Sequence, residues 1–358
     1  MLKTAEHVDN AMKIETEIGE KDVVFYDVRK PPFKIYGLYK PESEPDFKRM
    51  PDEIALGTNE GVAALYLNTA GGRVRFSTNS PYVAIHAEMP AMGKMAHFSL
   101  TGSCGFDLYI DEKNGESHYA GIFKPPFHAV GGFESKVTFG TKKTRYFTIN
   151  FPTYSNVKNL YIGISKTSAL GKGRPYKTEA PVVYYGSSIT QGGCCSRPGN
   201  TYESIVSQRL NVNHINLGFS GSGRGEEIMA KYISTLDMSA FVMDYDHNSP
   251  SCEHLVETHY RLYKTVRDAH KNVPIIIMSK SDFILGYAEN VKRRNVIFDT
   301  YKRAISDGDK NVYFIDGESV FRGPYENICT VDGAHPNDMG FALMADAVES
   351  TLRKASWR

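Results

Sequence analysis

Short apolar runs alternate with helical segments over residues 181–354, and this alternation constrains the fold more than any other feature of the chain. The apolar runs are PVVYYG (181–186), HINLGF (214–219), FVMDY (241–245), VPIIIMS (273–279) and NVYFIDG (311–317). The helical segments span 201–210, 225–237, 252–271, 291–307 and 338–354. Five such units in a row predict an α/β domain with a five-stranded parallel sheet covered by helices. Sheets of this kind carry their sites at the carboxyl ends of the strands.

The N-terminal part of the chain has a different pattern. Short runs rich in aromatic and β-branched residues are separated there by clusters of Gly, Pro, Asn and Lys. The runs are DVVFYDV (22–28), VAALYL (62–67), RVRFST (73–78), YVAIHAEM (82–89), GFDLYID (105–111), HYAGIF (118–123), RYFTINF (145–151) and LYIGIS (160–165). They predict an all-β sandwich of jelly-roll type without a long helix. The predicted divisions are a leader at 1–21, a β-domain at 22–170, a Gly- and Pro-rich linker at 171–180 and the α/β domain at 181–358.

Composition narrows the class of partner. Lys and Arg total 42 and Asp and Glu total 41, so a net charge of +1 gives no reason to expect nucleic acid or an anionic membrane. No apolar run approaches the ~20 residues of a membrane-spanning helix, and the N-terminus lacks the apolar stretch of a secretory signal. The 5 cysteines are too few, and odd in number, for a disulfide framework. We expect a cytoplasmic protein whose partner is a small molecule or an oligosaccharide; the sequence leaves its oligomeric state open.

Polar residues follow four of the five predicted strands. The segments are Gly186-Ser187-Ser188-Ile189-Thr190-Gln191-Gly192, Asn216-Leu217-Gly218-Phe219-Ser220-Gly221-Ser222-Gly223, Asp244-Tyr245-Asp246-His247-Asn248 and Asp332-Gly333-Ala334-His335-Pro336-Asn337. Their order resembles the four blocks of the SGNH hydrolases, also called GDSL-type esterases, which are named for a Ser, a Gly, an Asn and a His. Upstream, Gly105-Phe106-Asp107-Leu108-Tyr109 resembles the GxDLY signature of a β-domain that precedes some of these hydrolases.

The resemblance implies a flavodoxin-like α/β domain, a Ser-His-Asp triad and no metal or organic cofactor. It assigns the nucleophile to Ser188, the base to His335 and the orienting carboxylate to Asp332, and it assigns the oxyanion hole to Ser188, Gly221 and Asn248. Two features depart from the family pattern: Ser187 stands where the GDSL motif has Asp, and DYDHN replaces GxND. Elementary chemistry supports the assignment, because a serine needs a neighbouring base before it can attack a carbonyl. An Asp three residues before a His can reach the same side of a turn.

Several residues keep a second interpretation. Ser188 could instead cap a helix, and Asn248 could form a turn ahead of Pro250. Arg197 either contacts substrate or pairs with an acidic residue. Asp107 is expected to cap a turn inside the β-domain.

Other residues near the blocks invite alternatives that we consider weaker. His247, His254 and His259 suggest a metal cluster, but the spacing of the last two on a predicted helix does not favour shared ligation. Cys194 and Cys195 are expected to pack in a loop. No GxxxxGK[ST], GxGxxG or GxSxG motif occurs, which argues against a nucleotide loop and an α/β-hydrolase elbow.

The sequence therefore predicts a serine esterase that hydrolyses short-chain acyl esters, acetyl above all, on a carbohydrate. The alternatives are an acyltransferase or tailoring esterase acting on a secondary metabolite, which needs the same residues, and a non-catalytic glycan-binding protein. Because all four blocks lie after residue 180, the β-domain is expected to shape substrate choice without supplying a triad member.

Overall fold

The computed structural model describes residues 18–355. Most of the predicted leader (1–21) lies outside the described residues. The N-terminal part of the structure is an antiparallel β-domain and the C-terminal part is an α/β domain, and the two are in contact.

Two large antiparallel sheets and one short two-stranded antiparallel sheet form the β-domain. Its strands and short helices are β1 (Val23–Asp27), β2 (Lys34–Tyr36), α1 (Asp52–Thr58), α2 (Glu60–Leu65), β3 (Arg73–Thr78), β4 (Tyr82–Met89), β5 (Ala91–Met92), α3 (Leu100–Ser103), β6 (Phe106–Asp111), β7 (Ser117–Phe123), β8 (Gly131–Thr138), β9 (Arg145–Asn150), β10 (Ser155–Asn156), β11 (Asn159–Ser165) and β12 (Leu170–Lys172). One sheet has the order β1-β11-β4-β8 and the other β12-β3-β9-β6-β7, with β2 also pairing with β3. Phe76 and Leu108 of one sheet share a buried cluster with Ile85 and Ile162 of the other, which confirms the predicted sandwich.

Residues 62–67 (VAALYL) begin within a helix, which corrects the prediction of a strand. Helix α2 covers Glu60–Leu65, and the Asn59 side chain caps it by accepting a hydrogen bond of 2.9 Å from the Val62 N–H. Val62 is buried in the hydrophobic core of the α/β domain and not in that of the sandwich. Packing against the other domain therefore outweighs the β-propensity of this run.

The α/β domain is built on a parallel sheet of order β14-β13-β15-β16-β17. Its strands and helices are β13 (Thr178–Gly186), α4 (Ser188–Gln191), α5 (Tyr202–Leu210), β14 (Val212–Gly218), α6 (Glu227–Ser234), β15 (Ala240–Asp244), α7 (Cys252–Ala269), β16 (Ile275–Met278), α8 (Tyr287–Ser306), β17 (Val312–Ile315), α9 (Gly317–Phe321) and α10 (Asp338–Lys354). Single 3₁₀ turns lie at Pro198–Asn200, Asp246–Asn248 and Glu326–Ile328. The five strands and their order of α/β alternation agree with the predicted fold class.

Hydrophobic cores lie on both faces of this sheet, because alternate residues of each strand point to opposite sides. Val183 and Tyr185 belong to one core, whereas Val182 and Tyr184 belong to the other. Strand β13 is an interior strand between β14 and β15 and ends at Gly186, so the segment containing Ser188 starts at the carboxyl edge of the sheet next to the ends of those two strands. Within residues 18–355, no helix combines the length and the apolar character needed to cross a membrane.

Candidate active site

The turn that carries Ser188 leaves no room for a side chain at its first position. A Cβ atom on Gly186 would lie 2.1 Å from Thr190 Oγ1 and 2.3 Å from the carbonyl oxygen of Asp244. Ser187 then caps helix α4, since its Oγ accepts a hydrogen bond of 3.1 Å from the Ile189 N–H. Helix α4 is a single turn, so local N–H groups near Ser188 matter more here than a helix dipole.

The side chains of Ser188, His335 and Asp332 form a continuous hydrogen-bonded chain. Ser188 Oγ lies 2.9 Å from His335 Nε2, and His335 Nδ1 lies 2.8 Å from Asp332 Oδ2. An ionised Asp332 can only accept, so the neutral imidazole donates from Nδ1 and keeps the lone pair of Nε2 for the Ser188 hydroxyl. Ser188 itself is 8% exposed. The structure thus brings together the three residues that the sequence analysis selected for the triad.

Asp332 is held ionised by the loop that it belongs to. Burial would raise its pKa, but hydrogen bonds from the backbone N–H and imidazole of His335 and from the backbone N–H of Ala334 outweigh it and lower the pKa to about 2. The Val331 N–H also donates to the His335 carbonyl at 2.8 Å, which closes the loop around the carboxylate. Asp332 therefore carries its charge across the neutral and mildly acidic range.

Asn248, in the 3₁₀ turn after β15, braces the loop after β14 that carries Gly221. Gly221 has φ +66° and is exposed, a left-handed conformation that glycine adopts without strain. The Asn248 amide donates to the carbonyl oxygens of Phe219 (2.8 Å) and Gly223 (3.0 Å), on either side of Gly221. Both amide hydrogens are thus engaged in holding the loop, and the predicted donation from Asn248 to an oxyanion stays a prediction. The Gly221 loop is tied to the Ser188 turn through the Ser220 N–H, which donates to Gln191 Oε1 at 3.0 Å.

The β-domain contacts the Ser188 turn directly. The Tyr154 hydroxyl donates to the Ser188 carbonyl at 3.2 Å, and Gln191 Nε2 donates to Asn68 Oδ1 at 3.1 Å. The His97 ring lies 6.0 Å from the His335 ring, centroid to centroid. The expectation of a β-domain docked beside Ser188 is therefore met. Sequence reasoning did not single out His97 or Tyr154, because each is an isolated ring in a loop with no motif around it.

Asp107 of the GxDLY motif links the two domains, which corrects its predicted role as a turn cap within the β-domain. Its fully buried carboxylate accepts hydrogen bonds from Asn150 Nδ2 (2.9 Å) and from the Gly199 N–H of the α/β domain (2.8 Å). Burial raises the pKa of Asp107 to about 6, although these two donors and Arg197 act in the opposite direction. The interdomain role is not visible in sequence because Gly199 is 92 residues away.

In this structure Arg197 pairs with an acidic residue, which is the second of its two predicted roles. Its Nε lies 3.5 Å from Asp107 Oδ2, and its guanidinium lies 4.0 Å from the centroid of the Tyr119 ring. Its predicted contact with substrate stays a prediction.

The three histidines considered as a metal cluster have separate partners. His247 Nε2 lies 3.1 Å from Asp282 Oδ1, His254 Nδ1 lies 2.8 Å from Ser249 Oγ, and His259 Nδ1 lies 2.9 Å from Thr300 Oγ1. The structure therefore does not bring them together as ligands of one ion.

Neither adjacent cysteine competes with Ser188 as a nucleophile. Burial raises the pKa of Cys194 to about 11, helped by the charge of Asp332, and burial raises the pKa of Cys195 well above its ordinary value. Both thiols are therefore protonated at neutral pH, and a protonated thiol is a poor nucleophile.

Comparison with known proteins agrees with both domains. Residues 179–353 match the GDSL-like lipase/acylhydrolase family, and residues 23–170 match the domain at the N-terminus of SGNH-hydrolase-type esterases. No curated protein matches the chain in sequence.

Three solved structures share the fold across most of the chain. A structure described as a GDSL-like lipase, from Bacteroides ovatus, is 27% identical with a TM-score of 0.84, covering 93% of this chain and 98% of that one. A salicylyl-acyltransferase from a tetracycline biosynthetic pathway is 17% identical with a TM-score of 0.75, covering 94% and 98%. A family two carbohydrate esterase from Clostridium thermocellum, solved with cellohexaose, is 14% identical with a TM-score of 0.58, covering 81% and 94%.

Proposed function

Because the chain belongs to the GDSL-like lipase/acylhydrolase family, we propose that it is a serine esterase that removes short acyl groups, acetyl above all, from a carbohydrate. The observation that carries the proposal is the hydrogen-bonded chain from Ser188 through His335 to Asp332. A nucleophile, a base and a group that orients the base are the minimum that acyl transfer through serine requires.

The mechanism follows from these contacts. Ser188 Oγ attacks the ester carbonyl while His335 Nε2 takes its proton, and Asp332 stabilises the imidazolium that forms. His335 then gives the proton to the leaving alcohol, and a water molecule activated by the same imidazole releases the acid. The N–H groups of Ser188 and Gly221 are the proposed oxyanion donors, and the Asn248 amide joins them by giving up one of its hydrogen bonds to the Phe219 and Gly223 carbonyls. Losing one such donor typically costs about 10²–10³ in kcat.

The β-domain is proposed to contact the alcohol portion of the substrate. Tyr154 and His97 bring aromatic surface beside the Ser188 turn, and rings of this kind stack on sugars. The fold shared with carbohydrate esterases makes acetylated sugars and oligosaccharides the first substrates to test.

A second candidate, an acyltransferase or tailoring esterase on a secondary metabolite, is favoured by one observation. Ile284 and Leu285 are 48% and 61% exposed, and Leu285 Cδ1 lies 2.7 Å from the position that a Cβ on Gly333 would take. Apolar surface therefore begins beside the Asp332–His335 loop, where it suits a substrate with an apolar acyl or alcohol group. A non-catalytic glycan-binding role is disfavoured because it gives no reason to keep the triad contacts.

The test compares wild type with Ser188→Ala on p-nitrophenyl acetate and on a panel of acetylated sugars and longer-chain aryl esters. Ser350→Ala, on the exposed face of α10, is the matched control. We expect Ser188→Ala to lose turnover by about 10⁶-fold with little change in stability, and the control to match wild type. Retention of more than about 1% of turnover by Ser188→Ala would contradict the proposed nucleophile.

The panel also separates the two candidates. Highest kcat/KM on an acetylated sugar supports the carbohydrate esterase. Preference for longer acyl chains, together with acyl transfer to an added alcohol in place of water, supports the acyltransferase.

A further inference from the structure

Three potential metal ligands converge beside Ser188. They are His97 from the β-domain, Cys194 from the loop after α4, and His335, and one donor atom of each lies within 4.8 Å of the others. His97 is exposed, whereas Cys194 is 7% exposed. The proposed function uses His335 as the base and the His97 ring as a surface for the substrate, so it does not use the Cys194 thiol or the ring nitrogens of His97.

The backbone holds Cys194 in an unusual conformation. Its φ is +74°, in the left-handed region that residues other than glycine rarely adopt. The preceding Gly193 packs directly on the base, because a Cβ there would lie 3.3 Å from His335 Cδ2. The loop therefore keeps the Cys194 thiol close to the imidazole of His335.

We propose that His97, Cys194 and His335 bind a Zn²⁺ ion that inhibits the enzyme. One thiolate and two imidazoles form a ligand set that Zn²⁺ prefers, and hard cations such as Mg²⁺ and Ca²⁺ do not. Tetrahedral Zn²⁺ with ordinary bond lengths sets its donors about 3.3–3.6 Å apart, so donors that now lie within 4.8 Å of one another must approach by up to about 1.5 Å. The exposed position of His97 allows that movement, and the Cys194 thiol releases its proton to solvent on binding.

Inhibition follows from the atom of His335 to which the metal would bind. His335 Nδ1 is already bonded to Asp332, which leaves Nε2 as the free ligand atom. Nε2 is also the atom 2.9 Å from Ser188 Oγ, so a metal there removes the acceptor for the serine proton. The Asp332 contact also favours metal binding, since a carboxylate hydrogen-bonded to Nδ1 orients a histidine that ligates through Nε2. This inhibitory consequence rests on the proposed function, whereas metal binding itself does not.

The site also connects the two domains. His97 belongs to the β-domain, and Cys194 and His335 belong to the α/β domain. An ion that bridges them binds the docked state alone and is expected to raise the Tm.

The binding arm of the test uses Ser188→Ala protein, which lacks the nucleophile and keeps all three ligands. Co²⁺ is titrated in as a spectroscopic substitute for Zn²⁺, and the near-ultraviolet charge-transfer band of a thiolate–Co²⁺ bond is followed. In Ser188→Ala we expect a saturable band that Zn²⁺ abolishes. The double variant that also carries Cys194→Ser should show no band, and the one that also carries His97→Ala should bind Co²⁺ at least tenfold more weakly. Cys252→Ala and His118→Ala, which remove a thiol and an imidazole elsewhere, are the matched controls and should leave the band unchanged.

The activity arm uses wild-type protein with Zn²⁺ and then a chelator. We expect reversible loss of esterase activity in wild type, and at least tenfold weaker inhibition in Cys194→Ser and His97→Ala. Thermal unfolding of each variant without metal checks that it is folded. Absence of the band in folded Ser188→Ala, or its survival in Cys194→Ser, overturns the site. A band without inhibition of an active wild type overturns the inhibitory role, and a protein that hydrolyses no ester refutes the proposed function while the binding arm still decides the site.

Discussion

Replacing Asp107 by alanine is expected to lower both stability and turnover, although this residue belongs to the β-domain. The carboxylate is fully buried and accepts hydrogen bonds from Asn150 and from the Gly199 N–H. Hydrogen bonds to a charged acceptor contribute about 1.5–3 kcal/mol each, so the loss of two is about 3–6 kcal/mol before any relaxation. Two effects reduce this loss: water can enter the space left by the side chain, and the cost of burying the carboxylate disappears.

Turnover is affected because Gly199 ends the loop that begins beside the nucleophile. At the other end of this loop, the Gly193 N–H donates to the Ser188 carbonyl at 2.7 Å. A shift of about 1 Å at reacting groups can cost 10² in rate, so we expect kcat to fall by about tenfold or more. The assay is urea unfolding together with kcat on p-nitrophenyl acetate.

Asp111 is a matched control on the same strand. It is also buried and accepts hydrogen bonds from Ser117 (2.9 Å) and Thr148 (2.7 Å), both within the β-domain. Asp111→Ala should therefore lose a similar amount of stability while the folded fraction keeps its kcat. Equal kcat losses in Asp107→Ala and Asp111→Ala would refute the argument that Asp107 acts by docking the domains.

The raised pKa of Asp107 allows a second test at the same residue. Burial raises its pKa to about 6, above the ~3.9 of an unfolded chain, so between these values the folded state binds more protons than the unfolded state. This carboxyl therefore makes stability fall as pH rises from about 4 to about 6, by at most about 3 kcal/mol. In Asp107→Asn the free energy of unfolding should not show this decrease between pH 4 and pH 6. The same pH dependence in wild type and Asp107→Asn would contradict the raised pKa.

Three further predictions concern the nucleophile turn and the triad. Asp332 should contribute no step to the dependence of kcat/KM on pH above about pH 4, because its pKa is about 2 and its charge persists; a proton uptake above pH 4 that disappears in Asp332→Asn would contradict this. Asp332→Asn should lower kcat by about 10⁴-fold through the wrong imidazole tautomer, and combining it with His335→Ala should cost little more than His335→Ala alone, which single and double variants measure. Gly186→Ala should destabilise the protein by about 1–3 kcal/mol and reduce kcat, because its Cβ would collide with Thr190 Oγ1 and the Asp244 carbonyl; wild-type values in unfolding and kinetics would show that the turn can adapt.

The sequence alone was enough to predict the architecture of the α/β domain, and its resemblance to the SGNH hydrolases supplied the residues proposed for the triad. The strand and helix periods are local properties, and strand ends in a parallel sheet meet at one edge. Strand-end geometry marked the segments around Ser188 and His335, 147 residues apart, as places for a site, and the resemblance to the SGNH hydrolases selected the two residues. The sandwich was predictable for the same reason, because RVRFST (73–78) and YVAIHAEM (82–89) carry the strand pattern within themselves and form strands with those bounds.

Only the tertiary structure decided how the two domains meet. The run VAALYL (62–67) has the composition of a strand, yet Val62 is helical because it packs into the core of the other domain. Asp107 shows the same dependence, since its partner Gly199 is unrelated to it by any local pattern. His97 and Tyr154 carry no motif and gain their place beside Ser188 from docking alone. A hydrogen bond or ring contact across a domain interface depends on the packing of whole surfaces, and no periodicity within one segment records it.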